Sequence, residues 1–216
     1  MTRRAASLML GLSTLVALAG CASWANFPPV PGDTAFHSLA TPAMEDVMIE
    51  GLRWTITRYP PRGTTLDFTP GAPEEPRLSI NLPVGVKANY YQYAAREIGG
   101  PRRVVAPLTT TSADLPIYHV RSLRVRGDEA QINIVRPATE LGLAPDGTPV
   151  YQEVTLTLRG GIGPWRVVSA TPWSPGSEDI PPPNYYDRLP DLKTRTAATP
   201  APTPATPAAE VAEPRQ

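Results

Sequence analysis

The chain has 216 residues, 20 acidic and 20 basic side chains, a formal net charge of zero, one cysteine and 28 prolines. Balanced charge argues against a nucleic-acid partner, which needs a basic face. A single cysteine excludes an intramolecular disulfide, so the fold stands on its core alone.

Arg3 and Arg4 precede an uncharged apolar run from Ala5 to Gly20, about 16 residues, shorter than the roughly 20 of a spanning helix. Charge first, apolar middle and small residues last is the order of a secretory signal. Leu18-Ala19-Gly20-Cys21 resembles the lipobox of bacterial lipoproteins. That resemblance implies a diacylglycerol on the Cys21 sulfur, cleavage just before it and acylation of the new amine. Residues 1–20 are then a signal peptide and Cys21 the lipidation site. Two other readings stay open: an ordinary signal cut at Ala17-Leu18-Ala19, and a retained membrane anchor. Three acyl chains, at about 0.8 kcal/mol per buried methylene, exceed the two-signal threshold for stable anchoring. Ala22 rather than Asp follows the cysteine, which by resemblance to Gram-negative sorting implies an outer-membrane lipoprotein facing the periplasm if the host is Gram-negative. The expected partners are the membrane through its lipid and an envelope protein or the cell wall, with no nucleic acid.

Residues 21–40 read as a proline-containing tether in which Trp24, three residues from the lipid, is placed to meet the headgroup interface. Thr41 as N-cap, Pro42 at the first helical position and Glu45 and Asp46 near the positive end of the dipole predict a helix start. Met44, Val47, Met48, Gly51, Leu52, Ile56 and Tyr59 then form one stripe, broken by Pro60-Pro61. Arg77–Leu82 alternates and predicts a short strand. Val84–Ile98 predicts a second helix, with Val86, Tyr90, Ala94 and Ile98 on one face and Gly99 just past its end. Tyr90, Tyr91 and Tyr93 either line a groove or pack with hydroxyls toward water.

From Leu115 the pattern becomes strand-like: two strands about Gly127-Asp128-Glu129, then two about Gly160–Gly163. Ala130, Ile132 and Ile134 alternate with polar residues, as do Val150, Val154, Leu156 and Leu158, which implies one buried and one solvated face. Val120 and Leu123 fall out of phase, which predicts a bulge near Ser122. Trp54, Trp165 and Trp173 are expected at the core or its edge. The fold class is therefore α+β: two helices packed on a curved antiparallel meander of about four to five strands, spanning residues 41–180. Residues 181–216, rich in proline, alanine and threonine, have too little apolar side chain to offset ordering entropy and read as a disordered tail.

Helix, helix, then an antiparallel sheet with "GDEAQI" and "VTLTLRGGIGPWRVVSA" resembles cystatin-like and NTF2-like domains, over about residues 41–173. The strand at 77–82 stands outside that arrangement. The resemblance implies a sheet that can enclose a small-ligand pocket.

Chemistry-bearing motifs are sparse. Zinc catalysis wants three protein ligands, usually with His or Cys, and the histidines are His37, in the tether, and His119. No EF-hand pattern and no G-x-S-x-G occurs. Neither a metal nor a cofactor is expected, and no residue is assigned a catalytic role. By period two, His119 and Arg121 share one strand face. If that face bounds a pocket, His119 can serve as base and Arg121 can hold an anion, with Tyr90 as a further ligand-binding candidate; otherwise both lie on the solvated side. The function implied is a membrane-anchored envelope lipoprotein with a non-enzymatic binding domain. The alternative is an NTF2-like pocket domain that binds a small ligand, with weak enzymatic activity.

Overall fold

Thr41 and Pro42 open the first helix by their own chemistry. In the computed structural model, which describes residues 24–29, 39, 41–61, 77–100, 104–176 and 179–189, α1 spans Pro42–Arg58 and the Thr41 hydroxyl accepts from the Met44 amide at 3.4 Å. Met44, Val47, Met48, Leu52 and Ile56 are buried along the anticipated stripe. Gly51 lies on it because the helix meets the sheet there: a Cβ at 51 would stand 2.9 Å from Ile132 Cγ2. A glycine inside a helix costs about 1 kcal/mol against alanine, and here close approach of helix to sheet offsets it.

The strands are β1 (Ala25–Phe27), β2 (Leu78–Asn81), β3 (Val105–Pro107), β4 (Ile117–Arg126), β5 (Glu129–Pro137), β6 (Tyr151–Arg159) and β7 (Arg166–Pro172), and the second helix, α2, is Ala88–Gly99. They form one sheet in the order β3-β2-β4-β5-β6-β7, with β1 also paired to β4. β4 to β7 are the antiparallel meander, and the register slips between Val120 and Ser122 as the phase of β4 demanded. α1 packs over β4 and β5, and α2 lies beside it against β3. The α+β class holds.

The expected four to five strands become seven, and the sheet is mixed. β2 runs parallel to both β3 and β4, with α2 as the crossover between β2 and β3, while β1 adds to β4 in antiparallel register. The added strands, β1 and β3, are each 3 residues long, too short for a periodicity to register. β1 falls inside the stretch read as tether. β2 does not alternate in burial at all; its four residues are all buried, because it is an interior strand covered on both faces.

What covers its second face is the chain after residue 179. Residues 179–189, which straddle the boundary expected at 180, lie across the domain as a strap. The Tyr186 amide donates to the Leu108 carbonyl at 2.7 Å, the Thr110 hydroxyl donates to the Asp187 carboxylate at 2.5 Å, and the Asn184 amide side chain donates to the Leu82 and Pro83 carbonyls at 3.1 and 3.0 Å. Prolines suit this role: they need no backbone donor satisfied and hold the strap extended.

The expected signal at 1–20, Cys21, His37, most of the expected tether and the expected tail from 190 onward lie outside the described residues. Among the described residues, no helix is long and apolar enough to cross a membrane.

Candidate functional site

The three candidate residues are not brought together. Tyr90 belongs to the helix layer: its hydroxyl donates to the Glu45 carbonyl on α1 at 2.6 Å, and burial, followed by the neighbouring Glu45 charge, holds the phenol well above its ordinary pKa. His119 and Arg121 do share a face, the one away from the helices, where Arg121 is half-buried and His119 is enclosed. His119 is only 3% exposed. Its ring meets Tyr151 edge-on with centroids 5.5 Å apart, and burial lowers its pKa to about 4. Arg121 pairs with the Glu153 carboxylate, and its guanidinium also donates to the Asp179 carbonyl at 3.1 Å.

Asn81 fixes this arrangement. Its Nδ2 donates to His119 Nδ1 at 2.9 Å and to the Pro182 carbonyl at 3.1 Å, while its Oδ1 accepts from the Asn184 amide at 2.9 Å. With Nδ1 accepting, the neutral ring carries its proton on Nε2, an atom that is buried with no hydrogen-bond partner among the described residues. The His119 region is therefore the clasp that joins β2, β4 and the strap. The ring itself is enclosed by the fold, against Tyr151 and the Asn81 amide.

Beyond the clasp the same face opens. A groove of about 490 Å³ crosses β4, β5 and β6, bounded by Asn26–Pro28 at one side and Trp173 at the other. Its floor is a cross-strand row, Ser122 opposite Asn133 opposite Thr155, with Arg124 and Gln131 as the next row. The Ser122, Gln131 and Asn133 side chains make no hydrogen bond among the described residues. The Arg124 guanidinium lies over the Trp24 ring, 5.2 Å from its centroid, so Trp24 is engaged by the domain.

Trp173 departs from the core-edge expectation. It is 52% exposed yet held at three points: its amide donates to the Glu153 carbonyl at 2.9 Å, its carbonyl accepts from Gln152 at 2.7 Å, and its indole N–H donates to the Thr155 hydroxyl at 2.9 Å. An exposed indole that is already fixed loses little freedom on contact with a ligand. Trp165, in contrast, is 6% exposed and packs in the core. The signal available in the sequence was the character of the outward residues of β5 and β6: Gln131, Asn133, Thr155 and Thr157 are neutral amides and hydroxyls rather than the charges of an ordinary solvated face.

No protein-family model, curated protein or solved structure matches the chain. The site stands on its own geometry. Other clefts open among the described residues. One of them, about 670 Å³, lies between α2, β3 and residues 109–115 and includes Ala95, Arg96, Val105 and Leu115 in its walls. Neither His119, Arg121 nor Tyr90 lines this cleft or the groove. No group of three or more His, Cys, Asp or Glu residues among those described is placed to hold a metal ion.

Proposed function

We propose that the chain is an exported envelope lipoprotein, anchored through lipid on Cys21, whose α+β domain works by binding rather than catalysis, with the groove on the open sheet face as its binding surface. The observation that carries the binding half is Trp173, pinned by three hydrogen bonds with half its surface exposed over a floor of unspent amides. Small-molecule and glycan-sized sites combine such a fixed apolar surface with a few convergent polar groups, in volumes of roughly 300–1,000 Å³. The anchoring half rests on Leu18-Ala19-Gly20-Cys21. β1 begins at Ala25, so the leash from Cys21 to the sheet spans about 14 Å at full extension, which would hold the domain at the bilayer surface.

Fractionation of cells that express wild type and Cys21→Ser tests the anchor, with the intact mass of the membrane-bound form read alongside. Wild type is expected in the detergent phase with a mass matching a lipidated N-terminal cysteine, and Cys21→Ser in the aqueous phase. Continued membrane partitioning of Cys21→Ser would refute lipid anchoring.

The second reading, an NTF2-like pocket domain that binds a small ligand, draws on the 670 Å³ cleft between α2 and β3. Its residues include Arg96, Ser112 and Asp114 but not His119, so weak enzymatic activity there would depend on groups other than the histidine. Chemical-shift changes confined to Ala95, Val105 and Leu115 on ligand screening would favour it over the groove.

A further inference from the structure

We infer that the groove between β1 and Trp173 takes a saccharide, specifically an N-acetylated glycan strand of the cell wall; this deepens the binding reading above and rests on it.

Three features of the groove select the class. First, Trp173 offers a flat apolar surface that is immobilised before any ligand arrives, through its indole N–H on Thr155 and its backbone on Glu153 and Gln152. A pyranose ring has an apolar C–H face that lies flat on an indole, so the contact buries area without ordering a flexible side chain. Second, the floor supplies Gln131 and Asn133, two primary amides with a donor and an acceptor in one plane and no partner among the described residues. Neighbouring sugar hydroxyls each donate and accept, and an acetamido group presents one N–H and one C=O, so both find complementary partners there. The acetyl methyl has an apolar wall in Pro28. Third, among the described residues the lining carries a single cation, Arg124, and no acid, which suits a neutral sugar or one that bears a carboxylate.

The competing macromolecules fit less well. Nucleic acid needs several phosphates neutralised together, and the groove offers one arginine. A protein partner anchored by hot spots needs pockets that desolvate aromatic or apolar side chains, whereas this floor is amide and hydroxyl. An added peptide strand would need an open sheet edge; β4, β5 and β6 are each paired on both sides, which leaves the three-residue rim strand β1 as the edge at the groove.

The full-length Cys21→Ser chain is the material for the test, with purified peptidoglycan sacculi and the soluble β-1,4-linked N-acetylglucosamine tetramer as probes. Co-sedimentation with sacculi, competition by the tetramer and saturable heat on titration with it are expected. Trp173→Ala and the pair Gln131→Ala with Asn133→Ala should each weaken binding at least tenfold, while Tyr93→Ala, on α2, should leave it unchanged; circular dichroism confirms that each variant folds. No association with either probe, or association that survives both groove variants, would overturn the glycan assignment. A photo-crosslinker at Asn133 separates the two levels. A protein captured there without glycan binding would sink the saccharide and leave the binding surface standing. Absence of any envelope component at Asn133, together with no glycan binding, would sink both.

Discussion

On one face of the sheet Ala130, Ile132, Ile134, Val154, Leu156 and Leu158 are each 0% exposed beneath the helices. On the other, the residues that alternate with them, Gln131, Asn133, Thr155 and Thr157, stand half-buried over open space. The same two strands therefore carry two kinds of chemistry at period two. The helix face contributes stability through apolar area removed from water, at about 25 cal/mol per Å². On the open face the Gln131 and Asn133 amides make no hydrogen bond among the described residues. Between them lies a third case, the end at His119, where Asn81 ties the histidine ring to the strap and His119 Nε2 is left buried without a partner among the described residues. Stability and recognition are thus assigned to opposite sides of one sheet, with the clasp as the boundary.

Substitutions can break that comparison. Leu52, 0% exposed on α1, lies in the stabilising layer, and Leu52→Ala should lower the unfolding free energy by about 3–4 kcal/mol in urea titration; a loss below about 1 kcal/mol would mean that the helix layer is not the source of stability. At the clasp, the effect depends on pH. Unfolded histidine titrates near 6.5, and His119 in the fold at about 4, so the folded state binds fewer protons between those values. Its contribution is complete above about pH 6.5 and is lost as pH falls toward 4. The loss amounts to about 2–3 kcal/mol. Protonation would also put a donor on Nδ1 against the Asn81 donor, so acid should loosen the strap. Melting curves of wild type and His119→Gln between pH 7 and 4.5 should show a steeper fall for wild type; parallel curves would contradict the buried neutral histidine.

Asn81→Ala removes one acceptor and two donors at once, from the Asn184 amide, the Pro182 carbonyl and His119. About 2 kcal/mol is expected, with faster hydrogen exchange at the Asn184 and Tyr186 amides than in wild type. Trp173→Ala should cost less than about 1 kcal/mol, since half of the side chain already meets water, and its effect should fall on binding. The smallest effect belongs to truncation of residues 192–216, whose composition offers little to bury: the melting temperature should stay within a degree or two, and a larger drop would show that this segment contributes to the domain.

Long regular features were legible in the sequence. α1 announced itself by Thr41-Pro42 and a stripe that ran to Ile56, β5 and β6 by sustained alternation, and the bulge of β4 by the slip in phase near Ser122. That His119 and Arg121 share a face also followed from period two. Contacts set by distant chain were not legible. Asn81 meets Pro182 and Asn184 across about a hundred residues, so no local pattern announces the clasp, and a buried His119 looks in sequence like any other strand position. β1 and β3 are shorter than the window in which a period can be counted, and β2, expected from Arg77–Leu82, is buried at all four positions rather than alternating. Trp173 was misplaced at the core edge because hydrophobicity ranks an indole as buried, whereas its position just past β7, bonded to Thr155, sets it on the open face.

Oxidative footprinting of the native chain in intact envelopes, set against the purified chain, tests most directly that the open face is the binding face. Trp173 and Tyr93 start from similar exposure, 52% and 47%, on opposite sides of the sheet. Strong protection of Trp173 in the envelope with Tyr93 unchanged is the predicted result; equal oxidation of Trp173 in both samples, or protection of Tyr93 instead, would contradict it.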